Sequence, residues 1–308
     1  MRYAKQFLMD SSAQDHYERF MGVAIKEAEL SLQEGNKGFG AVLVRSGTIF
    51  ARTHDSEVTE SDPTAHAEMK LIREACRKLG RNDLGDCVIV STHEPCPMCT
   101  GAMVWARVSE IIYGTSIATS KKQGRTMIDL SCEEIVNRSP WQPKTKGGVL
   151  EEQCSKLYDD ATRKLIRQFR IGGREAWSKA GQELLEQRII WFESRKESIL
   201  AELQGTVVER AYQLILMKLG MSERDAPVVE KSNGRIVLHS INPCPALQAC
   251  VILGLDTREV CALHTEKATD ELIKRIDPNL RFTRNYEKVR PHAAYCEEII
   301  SLEKQTKG

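Results

Sequence analysis

Two short segments rich in metal-ligating side chains constrain this chain more than any other feature. They read Asp62-Pro63-Thr64-Ala65-His66-Ala67-Glu68 and Glu94-Pro95-Cys96-Pro97-Met98-Cys99. Together they offer one imidazole and two thiols as ligands, with a carboxylate two residues after the histidine. Two thiolates and one imidazole fill three corners of a tetrahedron and leave the fourth for water, the pattern of a catalytic zinc site. The sequence therefore predicts zinc (Zn2+) held by His66, Cys96 and Cys99.

The expected local structure supports this chemistry. Cys96 and Cys99 lie where a helix should begin, and the positive end of its dipole and its free N–H groups lower thiol pKa values. We expect His66 in the first turn of a helix that starts at Asp62-Pro63, because Asp is a good N-cap and Pro suits the first helical position. Zinc-bound water loses a proton near neutral pH. Glu68 is predicted to take that proton as the catalytic acid/base.

The apolar pattern around the two segments alternates helices with strands. Helices are expected over 12–34, 62–80 and 150–169, and strands over 39–44, 48–53, 87–91 and 111–113, with a further strand possible over 146–149. This alternation favours a mostly parallel sheet covered on both faces. The order of predicted elements changes after Ile171-Gly172-Gly173. From there, helices over 184–203 and 207–219 precede a strand over 235–239. We therefore predict a zinc-dependent domain over residues 1–175 and a C-terminal α+β domain over residues 176–308.

Residues from about Lys37 to Lys156 resemble the cytidine deaminase-like superfamily, in particular its branch of guanine deaminases and tRNA adenosine deaminases. The His-x-Glu and Pro-Cys-x-x-Cys segments form the signature of the zinc nucleobase deaminases. Further matching stretches are Gly38 to Val44, Gly101-Ala102-Met103 and Lys146 to Cys154. The resemblance implies an α/β fold, a three-layer α/β/α sandwich around a mixed five-stranded sheet, and a homodimer. It also implies hydrolytic deamination of an amino-substituted heteroaromatic ring, with release of ammonia.

The resemblance also implies substrate contacts. The backbone around Ala65, Glu94 and Pro95 is expected to orient the ring. Phe39 is a candidate for stacking on the base and Trp105 for lining the pocket, although either aromatic side chain could instead serve only in packing.

One position departs from the purine-deaminating branch, which usually carries Asn seven residues before the Asp of its motif. That position is Asp55 here. An ionised Asp only accepts hydrogen bonds, so it would favour a ring edge rich in N–H donors. The alternative is a shifted hairpin register that leaves His54, or neither residue, in the pocket. Guanine deaminases also use an acidic residue after the strand that ends in Tyr, and residues 115–122 contain no carboxylate.

These observations favour deamination of a purine-like or related small heterocycle, with a guanine-type base first. The alternative is a tRNA adenosine-to-inosine editing deaminase, for which the basic stretch 163–170 is a candidate phosphate contact. Lys plus Arg number 44 against 43 Asp plus Glu, so no global charge favours nucleic acid and we do not expect it as a partner. A third possibility is an inactive binding protein stapled by zinc, which would have no need of Glu68.

The remaining features concern compartment and thiols. No apolar run could span a bilayer, and Met1–Gln6 lacks the apolar segment of a secretory signal. Ten cysteines are too few for a disulfide scaffold of this length, so we expect reduced thiols in a cytoplasmic protein without membrane contacts. The C-terminal cysteines lack the close pair of a zinc knuckle, which favours buried free thiols over a second metal site. They are Cys244, Cys250, Cys261 and Cys296.

Overall fold

The computed structural model describes residues 2–303, with side chains described from His16 onward. Met1 and the side chains of Met1–Gln6, used above in the argument about a secretory signal, lie outside this description. The chain divides into two compact units, one up to Arg163 and one from Lys164. No helix within the described range is long and apolar enough to cross a membrane.

The first unit contains a mixed five-stranded sheet in the order β2-β1-β3-β4-β5. The strands are β1 (Gly40–Arg45), β2 (Thr48–His54), β3 (Cys87–His93), β4 (Glu110–Thr115) and β5 (Lys144–Lys146). Strand β1 runs antiparallel to both β2 and β3, whereas β3, β4 and β5 are parallel. The mixed sheet implied by the resemblance is confirmed. The sheet is also mostly parallel in strand direction, as the apolar pattern predicts, because β2, β3, β4 and β5 run the same way and β1 runs against them.

Helices cover both faces of this sheet. They are α1 (Arg2–Glu34), α2 (Ala67–Leu79), α3 (Pro97–Trp105), α4 (Ile117–Lys122), α5 (Cys132–Asn137) and α6 (Glu151–Lys156). Neighbouring strand residues point to opposite faces. Leu43, Ile89 and Ile111 pack in one core with residues of α2 and α3. The residues beside them, Val42, Val90 and Ile112, pack in a second core with residues of α1. The result is the expected three-layer α/β/α sandwich.

Several element boundaries differ from the sequence expectations. Helix α1 begins at Arg2 rather than at residue 12, and the helix expected over 184–203 is interrupted after Glu193. Helix α2 begins at Ala67 rather than near Asp62, because the Asp62 carboxylate accepts hydrogen bonds from Thr64 N and Oγ1 in a local turn. The single helix expected over 150–169 is interrupted between α6 and α7 (Asp160–Glu193). Strand β5 ends at Lys146, before Gly148 at a φ of 82°.

The second unit is α+β, as predicted. Its antiparallel sheet has the order β6-β7-β9-β8, from β6 (Val228–Ser232), β7 (Arg235–Ser240), β8 (Leu280–Arg284) and β9 (Cys296–Leu302). Its helices are α8 (Lys196–Glu202), α9 (Val207–Leu219), α10 (Pro245–Leu253), α11 (Thr257–Cys261) and α12 (Lys267–Ile273), with a π-helical turn at Ala262–Glu266. Helix α7 kinks at Gly173, whose φ of 50° and ψ of −147° suit glycine. The division between the units falls within α7, and the sequence-based boundary at 175/176 lies just after this kink.

Candidate metal centre and active site

The three expected metal ligands converge at one edge of the first sheet. The ligand atoms of His66, Cys96 and Cys99 all lie within 4.8 Å of one another. Nδ1 of His66 is 3.6 Å from Cys96 Sγ and 3.5 Å from Cys99 Sγ. A tetrahedral zinc ion with bonds of about 2.0–2.1 Å to nitrogen and 2.3 Å to sulfur separates such atoms by about 3.6 Å. The donor set and its spacing therefore fit zinc.

Helix starts position these ligands. Cys96 is the N-cap of α3, followed by Pro97 at the first helical position, and Cys99 lies in the first turn. The predicted helix start at the two cysteines is thus confirmed. His66 is the N-cap of α2, with a φ of −69° and a ψ of 150°. The expectation that His66 lies inside the first turn is wrong, because the turn closed by Asp62 delays the helix to Ala67.

The electrostatics of the ligands also suit a cation. The hydrogen bond from Cys99, and then the one from His66, lower the pKa of the Cys96 thiol to about 4. The same interaction with Cys96, together with burial, raises the pKa of Cys99. Metal binding needs both thiols and the imidazole in their deprotonated forms, so a divalent cation would displace the protons of all three side chains.

A carboxylate supports the histidine ligand from outside the group. Nε2 of His66 lies 3.6 Å from the Glu57 carboxylate, whose side chain is 10% exposed. Glu57 also pairs with Lys37 at 2.7 Å. A carboxylate on the second ring nitrogen is the usual support of a zinc-bound histidine, since it fixes the ring orientation. The sequence analysis missed Glu57, which lies in a turn with no motif of its own.

Glu68 lies beside the ligands but is not one of them. Its side chain is buried, and Oε1 accepts a hydrogen bond from Ser91 Oγ at 2.7 Å. Its other oxygen, Oε2, is 3.6 Å from Cys99 Sγ. Burial raises the pKa of Glu68. One oxygen is therefore fixed by β3, and the other is directed towards the metal ligands.

Asp55 is completely buried, and its carboxylate accepts hydrogen bonds from this chain. Oδ1 accepts from Ser31 Oγ at 2.6 Å and from Phe39 N at 2.8 Å, and Oδ2 accepts from Lys37 N at 3.0 Å. The neighbouring His54 instead lies within hydrogen-bond distance of two glutamates on α1. Asp55 thus fixes the backbone that leads into β1.

The backbone groups expected to orient a ring also have partners within the chain. Ala65 O accepts from Ser56 N, Ala65 N donates to Asp62 O, Glu94 O accepts from His93 Nδ1, and Pro95 O accepts from Thr100 Oγ1. Each carbonyl oxygen keeps a second lone pair. The Glu94 carboxylate accepts from the backbone N–H groups of Ile117 and Cys132, at the starts of α4 and α5. It therefore ties these helices to the end of β3.

The two aromatic candidates lie in different surroundings. Phe39 packs edge-on against His93, with ring centroids 5.5 Å apart, and at a tilt against Tyr158, at 5.2 Å. The Arg125 guanidinium lies 5.3 Å from the Phe39 centroid and 4.8 Å from that of Tyr158. Trp105, in contrast, is the last residue of α3 and is 79% exposed, outside this aromatic cluster of Phe39, His93, Tyr158 and Arg125. Sequence analysis missed Tyr158 and Arg125, which carry no motif.

The C-terminal thiols do not form a second metal centre within residues 16–303. Within that range, His66, Cys96 and Cys99 form the one group of three potential ligands whose ligand atoms lie close together. Cys250 and Cys261 are buried, and burial raises their pKa values to about 12 and about 11.

The mixed sheet and the ligand group define a cytidine deaminase-like fold with a zinc-type centre. The family model of the cytidine and deoxycytidylate deaminase zinc-binding region matches residues 14–115. A tRNA-specific adenosine deaminase of Bacillus subtilis (strain 168) is 40% identical over 148 residues, 48% of this chain and 89% of that protein. The guanine deaminase of the same organism is 40% identical over 110 residues, 35% of this chain and 70% of that protein. A solved structure from a study of wobble-position tRNA deaminases is 28% identical, covering 45% of this chain and 98% of that one with a TM-score of 0.39.

The chain therefore belongs to the family of zinc-binding cytidine and deoxycytidylate deaminases. The predicted deaminase family, enzymatic class and zinc cofactor are confirmed. The expectation against nucleic acid is not supported, because relatives of this similarity include tRNA-specific deaminases. Near-neutral net charge does not decide this question, since it averages over both units.

Proposed function

We propose that this protein hydrolytically deaminates an amino-substituted purine-like heterocycle, with a guanine-type base as the first candidate. The observation that carries the proposal is Glu68, a buried carboxylate directed at the ligand group without belonging to it. A zinc ion that only stapled the fold would need no such group. The inactive, zinc-stapled binding protein is therefore the weaker reading.

His66, Cys96 and Cys99 would hold zinc, which when bound acts as a Lewis acid that activates water near neutral pH. Glu68 moves the protons of the reaction. Ser91 holds Oε1, so Oε2 is the oxygen that takes one proton from the attacking water and gives it to a ring nitrogen. The same oxygen then takes the second proton, from the hydroxyl group now on the ring carbon, and gives it to the amino group, which leaves as ammonia. Burial keeps this carboxyl ready to hold a proton, because it raises the pKa.

The substrate ring would bind at the edge where Phe39, Ala65, Glu94 and Pro95 meet. Their backbone carbonyls, with one lone pair each still available, are acceptors for the N–H groups of an amino-substituted ring. Phe39 offers an aromatic surface, and Asp55 fixes the backbone of Phe39 through its N–H group at 2.8 Å. A direct hydrogen bond from a ring donor to Asp55 Oδ2 is the alternative role, and it requires the completely buried carboxylate to become accessible to the substrate. The expected homodimer and the role of Trp105 in a pocket stay predictions.

Glu68→Gln tests the proposal. The amide keeps the size of the side chain but cannot accept and release the proton, so ammonia release from guanine should fall by roughly 10²–10⁴-fold. Zinc content should stay at one ion per chain, since Glu68 is not a ligand. The matched control is Glu74→Gln on the same helix, where the carboxylate is partly exposed and pairs with Lys78. Unchanged turnover in Glu68→Gln, or loss of zinc from it, would contradict the assigned role.

One observation favours a second candidate, editing of adenosine to inosine in tRNA. The match to the tRNA-specific adenosine deaminase is longer than that to the guanine deaminase, 148 residues against 110. Lys164, Arg167 and Arg170 are exposed on α7, where phosphate contacts are available. Inosine formation in a tRNA anticodon stem-loop, with strong salt dependence and no ammonia release from free bases, would select this function over the first.

A further inference from the structure

Among residues 164–303, the second unit contains a buried positive charge without a carboxylate partner. Arg188 lies on α7 and is 5% exposed. Its Nη1 donates to Thr269 Oγ1 at 2.5 Å. Its Nε is buried and has no hydrogen-bond partner within the described residues. A buried charge is normally paired, because leaving water is costly for an isolated ion.

A buried carboxylate of the same unit, Glu298, is already paired with another arginine. Arg284 and Glu298 face each other across β8 and β9. Nε of Arg284 lies 2.9 Å and Nη2 2.8 Å from Glu298 Oε1. Nη1 of Arg284 donates to Thr265 Oγ1 at 2.8 Å. Both side chains of this pair are about nine-tenths buried. The three buried charges therefore leave one positive charge over, that of Arg188.

The π-helical turn of the second unit contains another buried polar atom without a partner among the described residues. His264 is 5% exposed in the π-helical turn, and its Nδ1 has no hydrogen-bond partner among the described residues. Burial, and then the charges of Arg188 and Arg284, lower the pKa of His264 to about 4. The ring is therefore neutral at physiological pH and can donate one hydrogen bond. π-Helical turns of this kind occur frequently at functional sites.

The N-terminus of α10 is a third feature of the second unit that favours an anion. Cys244 is the N-cap of this nine-residue helix, and its Sγ accepts from Leu247 N at 3.5 Å. Its side chain is half-buried. Burial, and then the charge of Arg284, lower the pKa of Arg188, whereas Glu298 and Cys244 lie near enough to oppose this shift. The cluster of Arg188, His264 and Cys244 thus combines a guanidinium, a neutral imidazole and a helix N-terminus, all of which favour an anion.

We propose that the second unit binds a small monocarboxylate between Arg188, His264 and the N-terminus of α10, at a site separate from the zinc centre. One uncompensated positive charge matches a monoanion, whereas a phosphate dianion would leave a negative charge buried. The guanidinium fork suits the planar carboxylate, and Nε of Arg188 and Nδ1 of His264 are the donors that it would satisfy. The site does not depend on the function proposed for the first unit.

Thermal unfolding of the full-length protein tests this site. We would add the sodium salts of straight-chain monocarboxylates from acetate to hexanoate, with sodium chloride and inorganic phosphate at equal ionic strength. At least one carboxylate should raise an unfolding temperature that chloride leaves unchanged. Arg188→Met, which keeps the apolar stem, should lose this shift and unfold no earlier than wild type without ligand. The matched control is Arg174→Met on the same helix, an exposed arginine paired with Glu259, which should keep the full shift.

The outcomes separate the possibilities. If Arg188→Met does not fold, Arg188→Lys keeps the charge without the fork and should bind the carboxylate about tenfold or more weakly. A larger shift with phosphate than with any carboxylate would overturn the assignment of a monoanion. Absence of any shift with the whole series, or an undiminished shift in Arg188→Met or Arg188→Lys, would overturn the site itself.

Discussion

Asp55→Asn separates the two roles that this residue can have. The carboxylate is completely buried and accepts three hydrogen bonds, from Ser31, Lys37 and Phe39. An amide has one oxygen, so in either orientation its NH2 group meets a backbone N–H that it cannot accept. A hydrogen bond to a charged acceptor contributes about 1.5–3 kcal/mol, and a buried donor left unpaired costs about 1–3 kcal/mol. We therefore expect the first unit to lose about 2–4 kcal/mol of unfolding free energy.

The measurement is urea unfolding of the full-length protein, followed at the transition whose midpoint falls when zinc is chelated. The matched control is Asp83→Asn, whose Oδ1 accepts from Gly85 N in an exposed turn, a bond that the amide oxygen preserves. Turnover of guanine and other aminopurines is measured on the same samples. An unchanged unfolding midpoint with an altered substrate preference would contradict the structural role of Asp55, since the carboxylate would then face the ring rather than the chain.

Two further predictions concern the first unit. Gly40→Ala should lower the free energy of unfolding by about 3 kcal/mol or prevent folding, because a Cβ there would lie 2.1 Å from Ala24 O and 2.5 Å from Ala28 N. Gly22→Ala, in α1 with nothing within 4 Å of its Cβ, should instead raise the free energy of unfolding by about 0.5–1 kcal/mol. Equal midpoints of urea unfolding for the two variants would contradict this packing. Burial lowers the pKa of His93 from 6.5 to about 4, so the unfolded state binds more protons between these values and stability should fall by about 2 kcal/mol from pH 6.5 to 4.5. With zinc in excess, the fall in unfolding free energy from pH 6.5 to 4.5 should be smaller in His93→Gln than in the wild type. An equal fall in both proteins would show that groups other than His93 cause it.

The grouping of His66, Cys96 and Cys99 could be predicted from the sequence because the pattern that marks these residues is local. Cys96 and Cys99 lie within one helical turn, and the proline between them marks the helix start that orients both thiols. The start of α2 was mispredicted for an equally local reason. Asp-Pro favours an N-cap, but Asp62 closes a turn on Thr64 first, and His66 becomes the cap. Residue propensities alone do not predict which of two structures, an N-cap or a turn, forms within four residues.

The supporting residues could not be predicted, because their contacts join distant parts of the chain. Ser91 reaches Glu68 across 23 positions, and Tyr158 donates to Thr92 across 66. Neither serine nor tyrosine carries a pattern that marks such a partner. Trp105 shows that a resemblance does not fix surroundings either. The resemblance makes it a candidate for lining the pocket, yet its side chain is 79% exposed in this structure.

Strand direction explains why one sheet edge gathers the candidate site. Because β1 runs antiparallel to β3, with Ala41 opposite Ser91, the residue that precedes β1 lies beside the end of β3. Phe39 therefore meets His93, close to the cysteines that begin α3. Strand β2 returns antiparallel to β1 and delivers Asp55 to the same edge, where its N–H donates to Phe39 O at 3.0 Å. If β1 also ran parallel to β3, Phe39 would begin its strand at the opposite end of the sheet, away from His66, Cys96 and Cys99. The reversal of one strand is thus what allows an aromatic side chain and a hairpin carboxylate to share the edge that holds the metal ligands.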